Sequence, residues 1–361
     1  HNYGYRNLRS FPLMVHFFGL PYIDVRLSFN SFVPADLEDE IANKLVDYYI
    51  DRLKGEPALH DKVEFEIVFS CSSFDLEARL KELTNSVFRA GEVRRISQSL
   101  QKLTNRIIHP EEGLWHLDAK KLDILNSRRQ QLKELNPDPF TYIYWLLEDA
   151  KRYGTLPFAG LARAGFIAMQ MLSSLVTRCV FTDADYNEFM TGISTVNRKM
   201  ACDRVIMDKN NFLENYGHLR PGSYDILSTR YDETPDKYFD WTQSASKPIP
   251  TTFFELNSRQ KREIRNLIDQ NDLLTTPKHL IEFIKAGIEL RELAKFHFTR
   301  NLSDSLVAIA KIGATYGLSR EDLAYSDISI FKELYIGGAN PADAISKSIE
   351  EGRNRYSETL K

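Results

Sequence analysis

Hydrophobic and polar residues alternate in two stretches near the start of the chain. Residues 22–33, YIDVRLSFNSFV, alternate and end at Pro34, and residues 62–70, KVEFEIVFS, alternate again. Alternation with a period of two is typical of a half-buried strand. Between them, residues 34–53 have apolar positions at helical spacing and acidic residues in the first turn. The pattern predicts a short β-sheet backed by helices.

From about residue 75 onward, apolar residues recur at the spacing of amphipathic helices. Side chains that can accept hydrogen bonds from a first helical turn precede several of these segments. Such start signals occur at Thr276-Pro277, at Ser319 with Asp322 three residues later, and at Asn340-Pro341. Proline suits the first turn because its missing N–H would be unpaired there anyway. The last third of the chain is therefore predicted to be helical.

These patterns together predict a mainly α protein. A small α/β portion carrying a short β-sheet is expected over residues 1–110, and a helical central or linker domain over residues 111–361. Residues 241–252, WTQSASKPIPTT, are the best internal linker candidate because they combine Pro, Ser and Thr. The most apolar run, residues 156–176, contains Arg163, and its uninterrupted part is too short for a membrane span of ~20 residues. A buried helix is the expected structure there.

Composition narrows the classes of function. The 361 residues are 43% hydrophobic and 27% charged, with a net charge of −3 and short basic clusters only, which disfavours nucleic acid as a partner. Three cysteines without CxxC spacing favour a reducing, cytoplasmic setting. None of the eight histidines has a metal-binding spacing, and no phosphate-cradling glycine motif is present. We therefore expect no metal or nucleotide cofactor in this chain and no membrane partner.

The stretch 216–233, YGHLRPGSYDILSTRYDE, gathers polar and aromatic residues around Pro221-Gly222. This turn can hold His218 and Arg220 on one side and Tyr224 and Asp225 on the other. Arg220 and Arg230 offer fork-shaped donors that suit a carboxylate or phosphate. A loop pinned by its own salt bridges, such as Arg230 with Asp232 or Glu233, explains the same residues.

Two further clusters have equally ordinary explanations. Residues 298–301, FTRN, offer Thr299, Arg300 and Asn301 in the middle of a predicted helix, where they could simply bond along its surface. Residues 24–30, DVRLSFN, would place their polar side chains on one face of a strand, which could simply be solvated.

The stretch YGHLRPGSYDILSTRYDE, residues 216–233, resembles a motif of the phosphoenolpyruvate-synthase and pyruvate-phosphate-dikinase group of phosphotransferases. His218, Pro221, Gly222, Arg230 and Glu233 match that motif. The chain departs from the motif at two places: Leu219-Arg220 replaces the usual Arg-Gly order, and Ser223-Tyr224 replaces an acidic position.

Five blocks in order resemble the branch of L-glutamine kinases that begin capsular phosphoramidate biosynthesis. They are LPYIDVRLSFNSFVP, HDKVEFEIVFSC, LPFAGLARAGFIAMQMLSSLV, GHLRPGSYDI and AKFHFTRNLSDSLVAIAKIGATYGLSREDL, and together they span nearly the whole chain. The resemblance implies ATP-dependent phosphorylation of the glutamine side-chain amide through a phosphohistidine, with release of AMP and phosphate. It also implies that ATP and Mg²⁺ act in the full-length enzyme.

By the same resemblance, an ATP-grasp module would precede residue 1 and a phosphohistidine module would follow residue 361. The chain would then be the excised central region, inactive alone, with glutamine as its small-molecule acceptor. His218 or Asp225 could serve near the acceptor amide, and Arg220, Tyr224, Arg230 and Arg300 are candidate substrate-binding residues. The alternative is a purely structural helical linker or interaction domain without a ligand site.

Overall fold

The computed structural model of the protein describes residues 3–8, 10–17, 20–84, 86–241 and 254–360. The fold is mainly α, with a small two-stranded antiparallel sheet near the N-terminus, as the sequence predicts. The predicted linker 241–252 lies, apart from Trp241, outside the described residues.

The sheet is a hairpin of β1 (Met14–Phe17) and β2 (Leu20–Ile23), in which Met14 pairs with Ile23. The predicted strand 22–33 is therefore wrong beyond its first two residues. A helix, α1 (Val25–Asn30), follows because the Asp24 carboxylate accepts a hydrogen bond from the Leu27 backbone N–H at 3.0 Å. The polar side chains of residues 24–30 accordingly do not share a strand face.

The second predicted strand, residues 62–70, is also wrong. Residues Val63–Ile67 form one turn of π-helix, and no neighbouring strand pairs with them in the described part of the chain. Side chains from other segments instead donate hydrogen bonds to the backbone carbonyls of this segment. Gln170 Nε2 donates to the Glu64 carbonyl at 2.6 Å, and Arg79 Nη2 donates to the carbonyls of Phe65 and Val68 at 3.1 and 3.3 Å.

The remaining helices follow in chain order. Their bounds are α2 Asp39–Gly55, α3 Leu76–Thr84, α4 Ala90–Ile108, α5 Leu114–Leu135, α6 Pro139–Asp149, α7 Leu156–Thr177, α8 Asp183–Thr191, α9 Val196–Ile206, α10 Lys209–Tyr216, α11 Pro235–Tyr238, α12 Ser258–Gln270, α13 Pro277–Thr315, α14 Arg320–Leu323, α15 Ser329–Ile336 and α16 Pro341–Thr359. A 3₁₀ turn covers Pro57–Asp61, and a π-helical turn, Ala150–Thr155, joins α6 to α7.

The predicted helix starts in the last third are confirmed. Thr276 caps α13 by accepting from the His279 N–H at 3.3 Å. Ser319 and Asp322 form the reciprocal capping box of α14, with distances of 3.1 and 2.9 Å. Asn340 caps α16 in the same way. Each cap satisfies backbone N–H groups that the helix itself leaves unpaired.

The 39-residue helix α13 runs through the centre of the fold and packs against α5, α6 and α7. Two glycines allow this close packing. A Cβ at Gly154 would lie 2.5 Å from Phe298 Cβ, and a Cβ at Gly287 would lie 2.9 Å from Ala168 Cβ. The largest hydrophobic core of the described residues joins the N-terminal part to the helical body, with Tyr5 and Leu103 in the same cluster as residues of α7 and α13.

The predicted buried helix is α7, whose residues Leu161, Ala164, Ile167 and Leu172 are inaccessible to solvent. Within the described ranges, one continuous stretch, Pro139–Thr177, is long and apolar enough to cross a membrane by length and composition. The fold buries 56% of the most apolar part of this stretch, as it does for a core helix. The stretch is therefore weak evidence for a membrane span.

Candidate functional site

The loop between α10 and α11 is folded around the guanidinium of Arg220. This side chain is only 6% exposed. Its nitrogen atoms donate to the carbonyls of Asp225 and Ser228 at 3.2 and 3.0 Å and to Ser303 Oγ on α13 at 3.1 Å. Burial lowers the pKa of Arg220. Arg220 therefore fixes the Pro221-Gly222 turn against α13, with its donors directed into the protein.

His218 lies beneath the same loop and is 4% exposed. Its backbone carbonyl accepts a hydrogen bond from Ser303 Oγ at 2.6 Å, and its ring meets Phe296 edge-on at 4.8 Å. Burial, and then the charges of Arg300 and Arg230, lowers the pKa of His218 to about 2. The imidazole is therefore neutral at physiological pH, and no protein group in the described residues bonds its buried Nε2 atom.

Tyr224 and Asp225 lie on the outer side of the turn, and both are exposed. The Asp225 carboxylate accepts a hydrogen bond from the Leu227 backbone N–H at 2.9 Å, which closes a local turn. Tyr224, 69% exposed, lies at a mainly apolar cleft between α6, α13 and α15. The structure thus separates these two residues from His218 and Arg220.

Arg230 belongs to a buried ion-pair network. Its guanidinium donates to Asp232 at 2.8 Å and to Asp304 on α13 at 2.9 Å. Asp304 also accepts two hydrogen bonds from Arg129 of α5, at 2.9 and 2.6 Å. The network ties three separate segments together, so the predicted salt bridge of Arg230 with Asp232 is present but is only part of it.

Arg300 is placed one turn before Asp304 on α13. Its guanidinium donates to the Asn215 carbonyl at 2.8 Å and lies over the Phe296 ring at 4.7 Å. Its neighbours on either side are also used within the fold. Thr299 bonds to carbonyls of its own helix, and Asn301 Nδ2 donates to the Leu146 carbonyl at 3.2 Å.

A cleft of about 800 Å³ opens beside this network, which we call the polar cleft. The end of α5, the start of α6, the 230–233 segment and the C-terminal half of α13 surround it. Its charged lining residues are Lys133, Arg230, Asp232, Glu233, Asp304 and Lys311. Of the six site residues predicted from the sequence, Arg230 alone lines it; Tyr224 lines the other cleft.

Two lysines of the polar cleft have no direct ion-pair partner among the described residues. Lys133 and Lys311 are exposed, and neither forms an ion pair with any described residue. Partial burial, together with the charge of Arg129, lowers the pKa of Lys133. By contrast, Glu233 already accepts from Arg320 at 2.5 Å. The cleft can therefore attract an anionic group at the lysines while presenting carboxylate oxygens nearby.

Sequence reasoning missed Lys133, Asp304 and Lys311. Asp304 and Lys311 lie two turns apart on α13 and carry no motif, and only the packing of α5 against α13 brings Lys133 to them. No group of three or more His, Cys, Asp or Glu side chains in the described residues could hold a metal ion. Comparisons with protein-family models, curated proteins and solved structures find no match to this chain.

Proposed function

We propose that this chain is the acceptor-binding central region of an ATP-dependent phosphotransferase similar to the L-glutamine kinases. The observation that carries the proposal is the polar cleft, which is lined in part by residues 230–233 and presents charges of both signs. A free amino acid has a carboxylate and an ammonium group, so a site for glutamine needs both cationic and anionic partners.

Lys133 and Lys311 are the natural partners for the α-carboxylate, because neither is engaged in an ion pair within the described residues. The carboxylate oxygens of Asp232 and Glu233, which line the same cleft, are the proposed partners for the α-ammonium. Asp304 remains as an acceptor near the side-chain amide. An amide nitrogen is a weak nucleophile, and an acceptor that orients its N–H group favours attack on a phosphoryl donor.

In this proposal the neighbouring ATP-grasp and phosphohistidine modules, with ATP and Mg²⁺, supply the phosphoryl group. The central region supplies the acceptor and its orientation, and the isolated chain has no kinase activity. The cytoplasm, where ATP and glutamine are available, is the proposed location. His218 is held neutral and buried, so its proposed contribution is to position the loop rather than to contact the acceptor.

Calorimetric titration of this chain with L-glutamine tests the proposal. Saturable binding in the millimolar range is expected, weakened roughly threefold to fivefold by Lys133→Met or Lys311→Met, as for loss of one exposed ion pair. Lys54→Met is the matched control, since Lys54 is 73% exposed and remote from the cleft. Absence of saturable binding, or equal weakening by the control variant, would overturn the proposal.

A structural helical linker is the second candidate function. The observation that favours it is the internal use of the predicted binding groups, since Arg220 and Arg300 donate to protein carbonyls. This candidate predicts that glutamine produces no heat and that the lysine substitutions change nothing. The same titration therefore distinguishes the two functions.

A further inference from the structure

A second cleft, of about 350 Å³, lies between α6, α13 and α15. We call it the apolar cleft, because its walls are formed by Ile143, Leu147, Phe298, Leu302, Ile328 and Phe331. This volume is at the lower end of the range for small-molecule sites. It suits one ring or a short acyl chain and is too small for a helix or a strand of a partner protein.

The π-helical turn Ala150–Thr155 forms part of its wall. Pro157 has no backbone N–H and cannot bond to the Tyr153 carbonyl, which interrupts the regular helical ladder. The Leu156 N–H donates instead to the Lys151 carbonyl, five residues back. Isolated π turns occur frequently at functional sites. Here the turn directs Ala150, Lys151 and Thr155 into the cleft wall.

The rim of the apolar cleft is cationic. Lys151 and Lys332 line it, and Glu148 is its one acidic residue among the described residues that form it. Glu148 is shared between Lys151 and Arg152, and these hydrogen bonds lower its pKa. Lys332 is exposed and forms no ion pair with a described residue. An apolar interior with a cationic edge matches a ligand that has an apolar body and an anionic end.

We propose that the apolar cleft binds a small molecule with a ring-sized or short-chain apolar body and an anionic end, a carboxylate or a phosphate. The body displaces water from Leu147, Leu302 and Ile328, and the anionic end meets Lys332 at the rim. Tyr224, at the mouth, covers the body with its ring. None of these residues lines the polar cleft, so the two sites share no lining residue.

Three probes that share a phenyl ring and carry a negative, neutral or positive end group test the site: phenylacetate, phenylacetamide and 2-phenylethylamine. They are titrated into the whole chain and followed by amide chemical shifts. Phenylacetate is expected to saturate shifts at Ala150 and Thr155 and to bind roughly threefold tighter than the amide, as one exposed charge pair allows. The amine should bind more weakly than both.

Two variants and a control complete the test. Lys332→Gln should remove the preference for phenylacetate over phenylacetamide, whereas Lys54→Gln should leave it unchanged. Ser329→Phe places a ring at the exposed edge of the cleft and should weaken all three probes. The proposal is overturned if no probe saturates these shifts, if charge has no effect on affinity, or if Lys54→Gln and Lys332→Gln behave alike.

Discussion

Replacing Arg220 should release the loop that carries most of the predicted site residues. In Arg220→Met the aliphatic packing is largely kept, while the carbonyls of Asp225 and Ser228 and the Ser303 hydroxyl lose their donor. Hydrogen bonds to a charged group contribute ~1.5–3 kcal/mol each. Because Arg220 is buried without a directly bonded carboxylate, its desolvation offsets a large part of that sum. We therefore expect Arg220→Met to lower the free energy of opening of this loop by about 3 kcal/mol.

Native-state hydrogen exchange measures this loss where it occurs. The Tyr231 amide donates to the Leu219 carbonyl at 2.9 Å, across the neck of the loop, so its protection reports on loop closure. A loss of about 3 kcal/mol corresponds to exchange faster by roughly two orders of magnitude. Arg178→Met, at an exposed arginine, is the control.

Unchanged protection of the Tyr231 amide in Arg220→Met would contradict this structural role of Arg220. If Arg220 instead serves mainly as a ligand-binding group, Arg220→Met would leave Tyr231 protection within ~0.5 kcal/mol of the parent, as most surface changes do. Weakened glutamine binding together with unchanged protection would show that its internal hydrogen bonds contribute little. Arg220→Lys, which keeps the charge but not the fork of donors, should give an intermediate loss.

Two further predictions concern groups buried against α13. Below pH 6.5 the unfolded chain takes up a proton at His218, whereas the folded chain, with a pKa of about 2, does not, so stability falls as the pH falls. Denaturant unfolding at pH 6.5 and pH 5 should show that His218→Phe removes about 1.6 kcal/mol of this pH dependence; an unchanged dependence would contradict the buried, neutral imidazole. Gly154→Ala should destabilise the protein by ~1–3 kcal/mol in thermal unfolding, because its Cβ would meet Phe298 Cβ at 2.5 Å. Gly91→Ala, with open space at the start of α4, should be neutral or stabilising, and equal effects of the two changes would refute the packing argument.

Local signals in the sequence predicted the helices well, because caps act over three or four residues. Thr276, Ser319 and Asn340 each accept a backbone hydrogen bond within their own first turn. The same kind of signal is present at Asp24, which caps α1. Its effect outweighs the alternating pattern that predicts a strand there.

The strand predicted at residues 62–70 was wrong for a different reason. Alternation there reflects a segment whose carbonyls bond to Arg79 and Gln170 rather than to another strand. A partner 106 residues away leaves no trace in a local pattern. The π turn before α7 could be predicted only in part. Pro157 indicates that the helix is interrupted there, but it does not indicate that the Leu156 N–H bonds to a carbonyl five residues back.

For the candidate site, the sequence predicted that the turn separates His218 and Arg220 from Tyr224 and Asp225, and the structure has this arrangement. It did not predict that His218 and Arg220 are buried while Tyr224 and Asp225 face solvent. The lysines of the polar cleft come from α5 and α13, whose mutual packing depends on buried contacts throughout the fold. Such a set of residues has no spacing that a single sequence could reveal.

The length of α13 has a mechanical consequence. At 1.5 Å per residue its 39 residues extend for about 58 Å. Phe298 and Leu302 border the apolar cleft, and the polar cleft begins two residues later at Asp304. Because an α-helix resists stretching, a shift of α13 along its own axis would change the widths of both clefts at the same time.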